Sequence, residues 1–368
     1  MRITFLLPSD NLTGGNRVVA IYAQHLVARG HQVLVVTCAP DRMNLRNKVR
    51  ALLRNNWQQL RNNAAPQPGH IALSGITHKV LERPRAITSS DVPDADIIIA
   101  TWWETAVWMH TMPACKGRKV HLIQGYEVLP GQKTIDKVHA ALQLPNLKIA
   151  ISSDLKQTIE EKLGNLGITV IPNAVDPTQF NAPPRSKQYP PTVGFVYAIA
   201  HFKGADVCIR ACELARQQIP ELKVVAFGAD RPSIEVPLPK DTEFHYRPEQ
   251  ANLKKIYSAC DIWLFGSRLD SFGLPILEAM ACRTPVIAVP IGAATDLLGD
   301  GTGVLVAKES YVEMAAAIVA MCRQSANEWQ ERSDRAYRKA HSYSWDDATT
   351  LLLNLLRIEK HDEKNKFA

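Results

Sequence analysis

Short apolar runs recur along this chain, each followed by a helical pattern, and the sequence builds that rhythm twice. "RITFLLP" opens it, "GGNRVVAIYAQHLVARGH" puts Val18, Tyr22 and Leu26 on one helical face, and "QVLVVTCA" is the next run. "HKVL", "ADIIIATW", "KVHLIQGYE" and "LKIAISS" continue the series. Runs of this length between helices read as strands buried on both faces, which means a parallel sheet in a doubly wound α/β domain. A proline-rich stretch, "NAPPRSKQYPPT" from Asn181 to Thr192, can extend neither a helix nor a strand. Beyond it the rhythm restarts with "VGFVYAI", "KVVAFG", "TEFHYR", "IWLFGS", "PVIAVP" and "GVLVA". The expected organisation is a first domain over 1–180, a linker over 181–192 and a second α/β domain over 193–345. The remaining 346–368 form an apolar-striped helix returning to the first domain, with a charged tail. Two such domains are expected to face each other across a cleft, with ligands at the carboxyl ends of the strands.

With 368 residues, 46% of them hydrophobic, the chain has enough apolar material for two cores. No apolar run approaches the roughly 20 residues of a membrane-spanning helix, and the apolar start is too short for a signal peptide. Seven cysteines without a C-x-x-C pair argue against a zinc site or a disulfide framework and for reduced thiols in the cytoplasm. The net charge of +7 suits an anionic ligand or surface. Part of it is concentrated in an insertion at about 42–62, where Arg42 to Arg61 carry six Lys/Arg and no acid. Leu45, Val49, Leu52, Leu53, Trp57 and Leu60 fall there near helical spacing, as in a helix lying on an anionic membrane surface. A solvated helix packed on its own domain fits the same pattern. Nucleic acid is not expected as a partner, since no aromatic-plus-basic module accompanies the charge.

Three loops carry candidate chemistry. In "SDNLTGGN", Gly14 and Gly15 let the main chain approach a ligand at a helix start, but neither a dinucleotide fingerprint nor a P-loop is present. In "AHFKGADV", Lys203 precedes a glycine and a helix, a suitable place to neutralise phosphate. "GSRLDSFGLPILEA" is the most informative: Asp270 and Glu278 are separated by seven residues, with Pro275 in the first helical turn. Paired acids serve acid–base chemistry, metal binding or hydroxyl recognition. Two acids on a single loop and helix suit hydroxyl recognition better than glycoside hydrolysis, which needs them flanking one bond.

Four blocks in order resemble the retaining glycosyltransferases of family 4, which have the GT-B fold. They are "TGGNRVVAIYAQHLVARGHQVLVVT", "VIPNAVDPTQF" (Val170–Phe180), "FKGAD", and the D/E-x7-E block running into "PVIAVP". "IGAATDLLGDGTGVLV" and "HSYSWDDAT" resemble later family segments, and "HLIQGYEVL" is similar to a branch associated with bacterial polysaccharide synthesis. The resemblance implies two Rossmann-like domains and transfer of a sugar from a nucleotide-diphosphate donor to a saccharide or lipid-linked acceptor, with retention and without a metal or other cofactor. It also implies site roles. Glu278 would hold the ribose, and Asp270 the donor sugar together with Phe272 and Gly273. Lys203, Gly15, Gly273 and Leu274 would approach the diphosphate. Tyr246, Arg247, Pro248 and Leu253 would flank the base. Asn16, Trp103, Glu104 and Glu127 are acceptor-side candidates.

Three departures from the family pattern stand out. Ala198 occupies the place of an arginine about five residues before the lysine, and Arg268 is the candidate replacement cation. The donor-contacting histidine after the fourth strand is missing, its loop being Thr101, Trp102, Trp103 and Glu104. Asp270 replaces the usual glutamate. "DAD" at Asp94–Asp96 mimics a metal-binding D-x-D but enters an apolar strand directly, so it reads as a turn. The competing readings are a nucleotide-sugar-binding protein without activity and a sugar-nucleotide epimerase.

Overall fold

The computed structural model describes residues 1–40, 68–128 and 133–365. The basic insertion at about 42–62 lies outside the described residues. The chain divides into two compact units: 1–150, 159–169 and 349–368 form the first, and 151–158 with 170–348 the second.

The first unit is built on a seven-stranded sheet of order β3-β2-β1-β4-β5-β6-β7. Its strands are β1 (Arg2–Leu7), β2 (Gln32–Thr37), β3 (His78–Val80), β4 (Ile97–Ala100), β5 (Arg118–Ile123), β6 (Leu147–Ala150) and β7 (Thr169–Val170). The pairs from β3 across to β6 are parallel, and β4 is buried at all four positions, as the run "IIIA" requires. Helices α1 (Gly14–Ala28), α2 (His70–Leu73), α3 (Trp103–His110), α4 (Ile135–Gln143) and α5 (Ser153–Leu163) connect the strands. Leu6, Val36, Ile98 and Ala100 pack with Ala106 and Met109 of α3 into one core.

The second unit holds a six-stranded sheet, β10-β9-β8-β11-β12-β13, parallel throughout. Its strands are β8 (Thr192–Val196), β9 (Lys223–Gly228), β10 (Glu243–Tyr246), β11 (Ile262–Phe265), β12 (Val286–Ala288) and β13 (Val304–Leu305). Its helices are α6 (Ala205–Arg216), α7 (Gln250–Ser258), α8 (Leu274–Ala281), α9 (Ala294–Leu297), α10 (Tyr311–Arg323) and α11 (Ala326–His341). The last helix, α12 (Trp345–Asn365), begins in the second unit, and from Thr349 it belongs to the first. There Arg118 donates to the carbonyls of Leu355 and Leu356.

Two boundaries differ from the sequence expectation. Residues 170–180 cluster with the second unit, not the first. The proline-rich segment 181–192 is not a free linker but is bound to the second unit. Asp261, 1% exposed, accepts hydrogen bonds from Arg185 and from the main-chain N–H groups of Gln188 and Thr192. The Arg185 guanidinium stacks on Trp329, and Lys187 donates to the carbonyls of Cys322 and Gln324. Prolines rule out a helix or a central strand; they do not prevent side chains and free amides from binding a buried carboxylate.

His121 on β5 lies opposite Lys148 on β6, and both ring nitrogens are buried without a partner among the described residues. Burial, reinforced by Lys148, pushes its pKa down from 6.5 to about 3. The fold therefore keeps the imidazole neutral, while the unfolded chain protonates it near 6.5. Its contribution to stability is complete above pH 6.5 and is lost as pH falls towards 3. Between pH 7 and pH 4.5 wild type should lose about 2.5 kcal/mol on this account. Chemical denaturation at the two pH values checks this, and His121→Phe should lose less.

Candidate functional site

The carboxyl end of the second sheet brings the most informative loops together. A short 3-10 turn, His201–Lys203, follows β8 and leads through Gly204 into α6. Gly204 has φ +65, and a Cβ there would lie 1.8 Å from the carbonyl oxygen of Gly266. Main chain therefore lies on main chain, and no side chain fits. The contact is fastened further: the N–H groups of Arg268 and Leu269 and the hydroxyl of Ser267 all donate to the Phe202 carbonyl. The lysine loop and the aspartate loop thus form a single body. Gly204→Ala should cost more than about 2 kcal/mol in unfolding free energy through the αL strain and the clash. Thermal melting measures this, and activity should fall with it although Lys203 is intact.

Lys203 and Asp270 meet at 2.9 Å. The other Asp270 oxygen accepts the N–H groups of Phe272 at 3.2 Å and Gly273 at 2.8 Å. One carboxylate therefore rests on an ammonium and two main-chain amides, the donors an anion needs at a helix start. Gly273, at φ +84, turns the chain into α8, where Pro275 stands in the first turn and Leu274 opens the helix. Glu278 lies on the second turn, 4% exposed, and accepts a 2.7 Å hydrogen bond from Tyr257. Tyr257 is fixed by edge contacts with Trp263, Phe227 and Phe180. The two acids thus have different settings: Asp270 borders solvent and a cation, whereas Glu278 is buried beside a phenol.

Arg268 departs from expectation. Its guanidinium forms a two-pronged pair with Asp206 at 2.7 Å on each prong and also binds Glu309. A further N–H goes to the His201 carbonyl. Two carboxylates outweigh its single charge, so Arg268 is not the replacement cation. It positions the Lys203 turn instead. The Asp206 carboxyl is correspondingly held below its usual range, first by the hydrogen bonds from Arg268.

At the ends of β9 and β10, Tyr246 is 38% exposed, with the Arg231 guanidinium 4.3 Å and that of Arg247 5.2 Å from its ring centroid. Arg247 adopts φ +46, with its N–H bound to the Gly228 carbonyl. Pro248 follows and leads into α7. Leu253 faces inward on α7 at 5% exposure and offers no open face to a base. The resemblance placed it by position along the chain, and position does not tell which side of a short amphipathic helix is covered.

In the first unit, the end of β5 meets the N-terminus of α3. Trp103 donates its main-chain N–H to Glu127 at 2.7 Å, and Thr105 ties the loop by accepting from the N–H groups of Thr101 and Trp102. Burial first, then the charge of Glu104, pushes the Glu127 carboxyl up to about 8, against the Trp103 hydrogen bond. Asn16 is buried and donates to the Ser9 carbonyl, which makes it a brace of the β1 loop. Gly15 is covered by Gln124, whose Oε1 would lie 3.4 Å from a Cβ at that position. The "DAD" acids sit at the other end of the strands: Asp96 accepts the Arg2 N–H, and Asp94 pairs with Lys116.

Several contributors escaped the sequence reading. Tyr257 holds Glu278, Gln124 covers Gly15, and Asp10 accepts the N–H groups of Ile71 and Ala72. Gln124, directly after β5, and Asp10, in the loop after β1, had a local signal; Tyr257 had none.

Comparison with known proteins gives the family and the fold. Residues 12–179 match the family model described as Glycosyltransferase Family 4, and residues 178–340 match Glycosyl transferases group 1. The chain belongs to glycosyltransferase family 4. Among family relatives, the D-inositol 3-phosphate glycosyltransferase of Mycobacterium leprae is 30% identical over 175 residues, 44% of this chain and 40% of the relative. The O-antigen chain mannosyltransferase B of Escherichia coli is 31% identical over 114 residues, 31% of this chain and 29% of the relative. The chain thus spans well under two thirds of the length of the curated relatives it matches first. Among solved structures, Anabaena HepE in complex with UDP-glucose is similar at TM-score 0.72 and 17% identity, covering 97% of this chain and 99% of that one. Sucrose-phosphate synthase from Thermosynechococcus elongatus is similar at TM-score 0.71 and 18% identity, with 98% and 100% covered. At these identities the likeness shows the fold, which is GT-B.

Proposed function

We propose that this family 4 chain is a retaining glycosyltransferase that moves a sugar from a nucleotide-diphosphate donor to an acceptor hydroxyl. The observation that carries the reading is the convergence of Lys203 and the Phe272 and Gly273 amides on one carboxylate. Those donors suit a diphosphate: as the bond from the anomeric carbon lengthens, charge grows on the leaving oxygens, and fixed donors stabilise it without rearranging. Asp270, released from them by the arriving diphosphate, is free to accept hydroxyls of the donor sugar. Glu278 accepts from the ribose, and Tyr246 with Arg247 and Pro248 borders the base. Charge on the leaving group is met by Lys203 and main-chain amides, so no metal is needed in this scheme. Attack by the acceptor hydroxyl from the face the diphosphate leaves preserves the anomeric configuration, its proton passing to the departing diphosphate oxygen.

The first donors to test are UDP-sugars, because HepE was solved with UDP-glucose. Incubation of the full chain with UDP-sugars and glycoside acceptors, with chelator present, followed by mass spectrometry, should detect a glycosylated product. Turnover of donor without any acceptor into an isomeric sugar nucleotide would instead indicate an epimerase.

A role in cell-surface polysaccharide or glycolipid synthesis fits the similarity to an O-antigen chain mannosyltransferase, and a place at the cytoplasmic face of a membrane fits the basic insertion. Among the described residues no helix is long and apolar enough to cross a membrane. Vesicles containing anionic lipid should therefore sediment the chain. Charge reversal at Arg46, Lys48, Arg50 and Arg54 should abolish that; unchanged sedimentation would refute contact through the insertion, and no sedimentation of wild type would refute membrane contact.

A second reading, a nucleotide-sugar-binding protein without transfer, is favoured by one observation: Arg268 is neutralised by Asp206 and Glu309 where an active enzyme would want a second cation.

A further inference from the structure

A cavity of about 320 Å³ lies within the second unit, at the lower end of the ~300–1,000 Å³ of small-molecule sites. Val170, Pro172, Phe272 and Ala293 give it apolar lining. Ser153 at the start of α5, Asp296 on α9, and Lys339 and Tyr343 around the end of α11 bring polar side chains to it. It is not the donor cradle: Phe272 lines it, but Lys203, Asp270, Gly273 and Glu278 do not. Its walls are fixed by hydrogen bonds. The Ser152 hydroxyl donates to the Ser271 carbonyl at 2.7 Å, the Ala293 N–H to the Phe272 carbonyl at 2.9 Å, and the Gly292 N–H to Asp154 at 3.1 Å. A preformed cavity of this kind costs a ligand little in ordering the protein.

The polar groups in the lining define what fits. Among the described residues, Lys339 and Asp296 make no ion pair, with each other or with another side chain, and the Ser153 and Tyr343 hydroxyls make no hydrogen bond within the protein. The Lys339 ammonium stands beside Tyr343, 5.7 Å from its ring centroid. Opposite charges on separate helices thus line one cavity without closing on each other. A ligand of one sign would meet one of them and be repelled by the other; a dipolar ligand matches both. Its ammonium goes to Asp296 and its anionic end to Lys339. With the two hydroxyls, Lys339 supplies three kinds of donor, which suit the three terminal oxygens of a phosphate monoester. The apolar lining takes the carbon frame.

We propose that this cavity is a second ligand site, distinct from the donor cradle, for a small dipolar molecule of the amino-sugar phosphate class. Asp296 is the ammonium-binding group and Lys339 the phosphate-binding group.

Calorimetric titration of the full chain with glucosamine 6-phosphate tests it, with glucose 6-phosphate and glucosamine as probes that each lack one of the two charges. Wild type should bind glucosamine 6-phosphate about tenfold more tightly than either, the scale of one charge-assisted hydrogen bond. Lys339→Ala should weaken glucosamine 6-phosphate about tenfold and leave glucosamine unchanged. Asp296→Asn should weaken it to the same degree and leave glucose 6-phosphate unchanged. Asp296 is exposed and Lys339 half-buried, so both variants should melt as wild type does. Lys203→Ala should bind glucosamine 6-phosphate as wild type does. No uptake by wild type, glucose 6-phosphate binding as tightly as glucosamine 6-phosphate, or wild-type affinity in Lys339→Ala or Asp296→Asn would each overturn the assignment. Loss of binding in Lys203→Ala would also overturn it, by placing the molecule in the donor cradle.

Discussion

Lys203→Ala is expected to lower kcat/KM for the sugar donor by about 10²–10³-fold, the scale of removing one preorganised donor from a developing anion. The side chain is 41% exposed and its main contact is the Asp270 carboxylate, so little packing is lost and the melting temperature should hardly move. Asp270 keeps its two amide bonds in the variant, so the loop should retain its shape. Lys203→Arg should recover only part of the rate, because a planar fork cannot take the place of a compact ammonium on the same short turn. Initial rates over a range of donor concentrations check both variants. A Lys203→Ala chain with wild-type rates would mean that charge reaches the diphosphate from elsewhere.

Asp270→Asn should produce two effects of opposite sign. Asparagine keeps an oxygen for the Phe272 and Gly273 amides but no longer carries the charge that pairs with Lys203. The cradle then loses its internal anion, and a free nucleoside diphosphate should bind about tenfold more tightly. Sugar transfer should nevertheless fall by about 10²-fold, since a carboxylate's charge-assisted hold on the donor sugar's hydroxyls is gone. Calorimetry with UDP and rates with a UDP-sugar separate the two. Weaker UDP binding in Asp270→Asn would show that the carboxylate orders the loop more than it competes with the ligand.

Both sheets and the loops that carry Lys203 and Asp270 were legible because they depend on local patterns: apolar runs, a glycine before a helix, a proline in its first turn; the 2.9 Å pairing of the two side chains, 67 residues apart, was not. Gly204 is a case where the residue announced the geometry, since its contact with Gly266 leaves no room for a Cβ. What stayed hidden depends on contacts between distant positions. Arg268 looked like a spare cation because its partners, Asp206 and Glu309, lie 62 and 41 residues away. The proline-rich segment looked loose because its anchor, Asp261, stands at the entry to β11, far along the chain. Leu253 was assigned to the base through the family resemblance, and only packing shows that it is buried. Glu127 could be named from its place after β5, while its burial and raised pKa come from the Trp103 helix start and the surrounding fold.

Calorimetric titration of UDP into the full chain addresses the donor cradle most directly. Saturable uptake that disappears in Lys203→Ala and weakens in Glu278→Gln is the expected result. Failure of wild type to take up UDP or any other nucleoside diphosphate, or a Glu278→Gln chain that binds as wild type does, would contradict it.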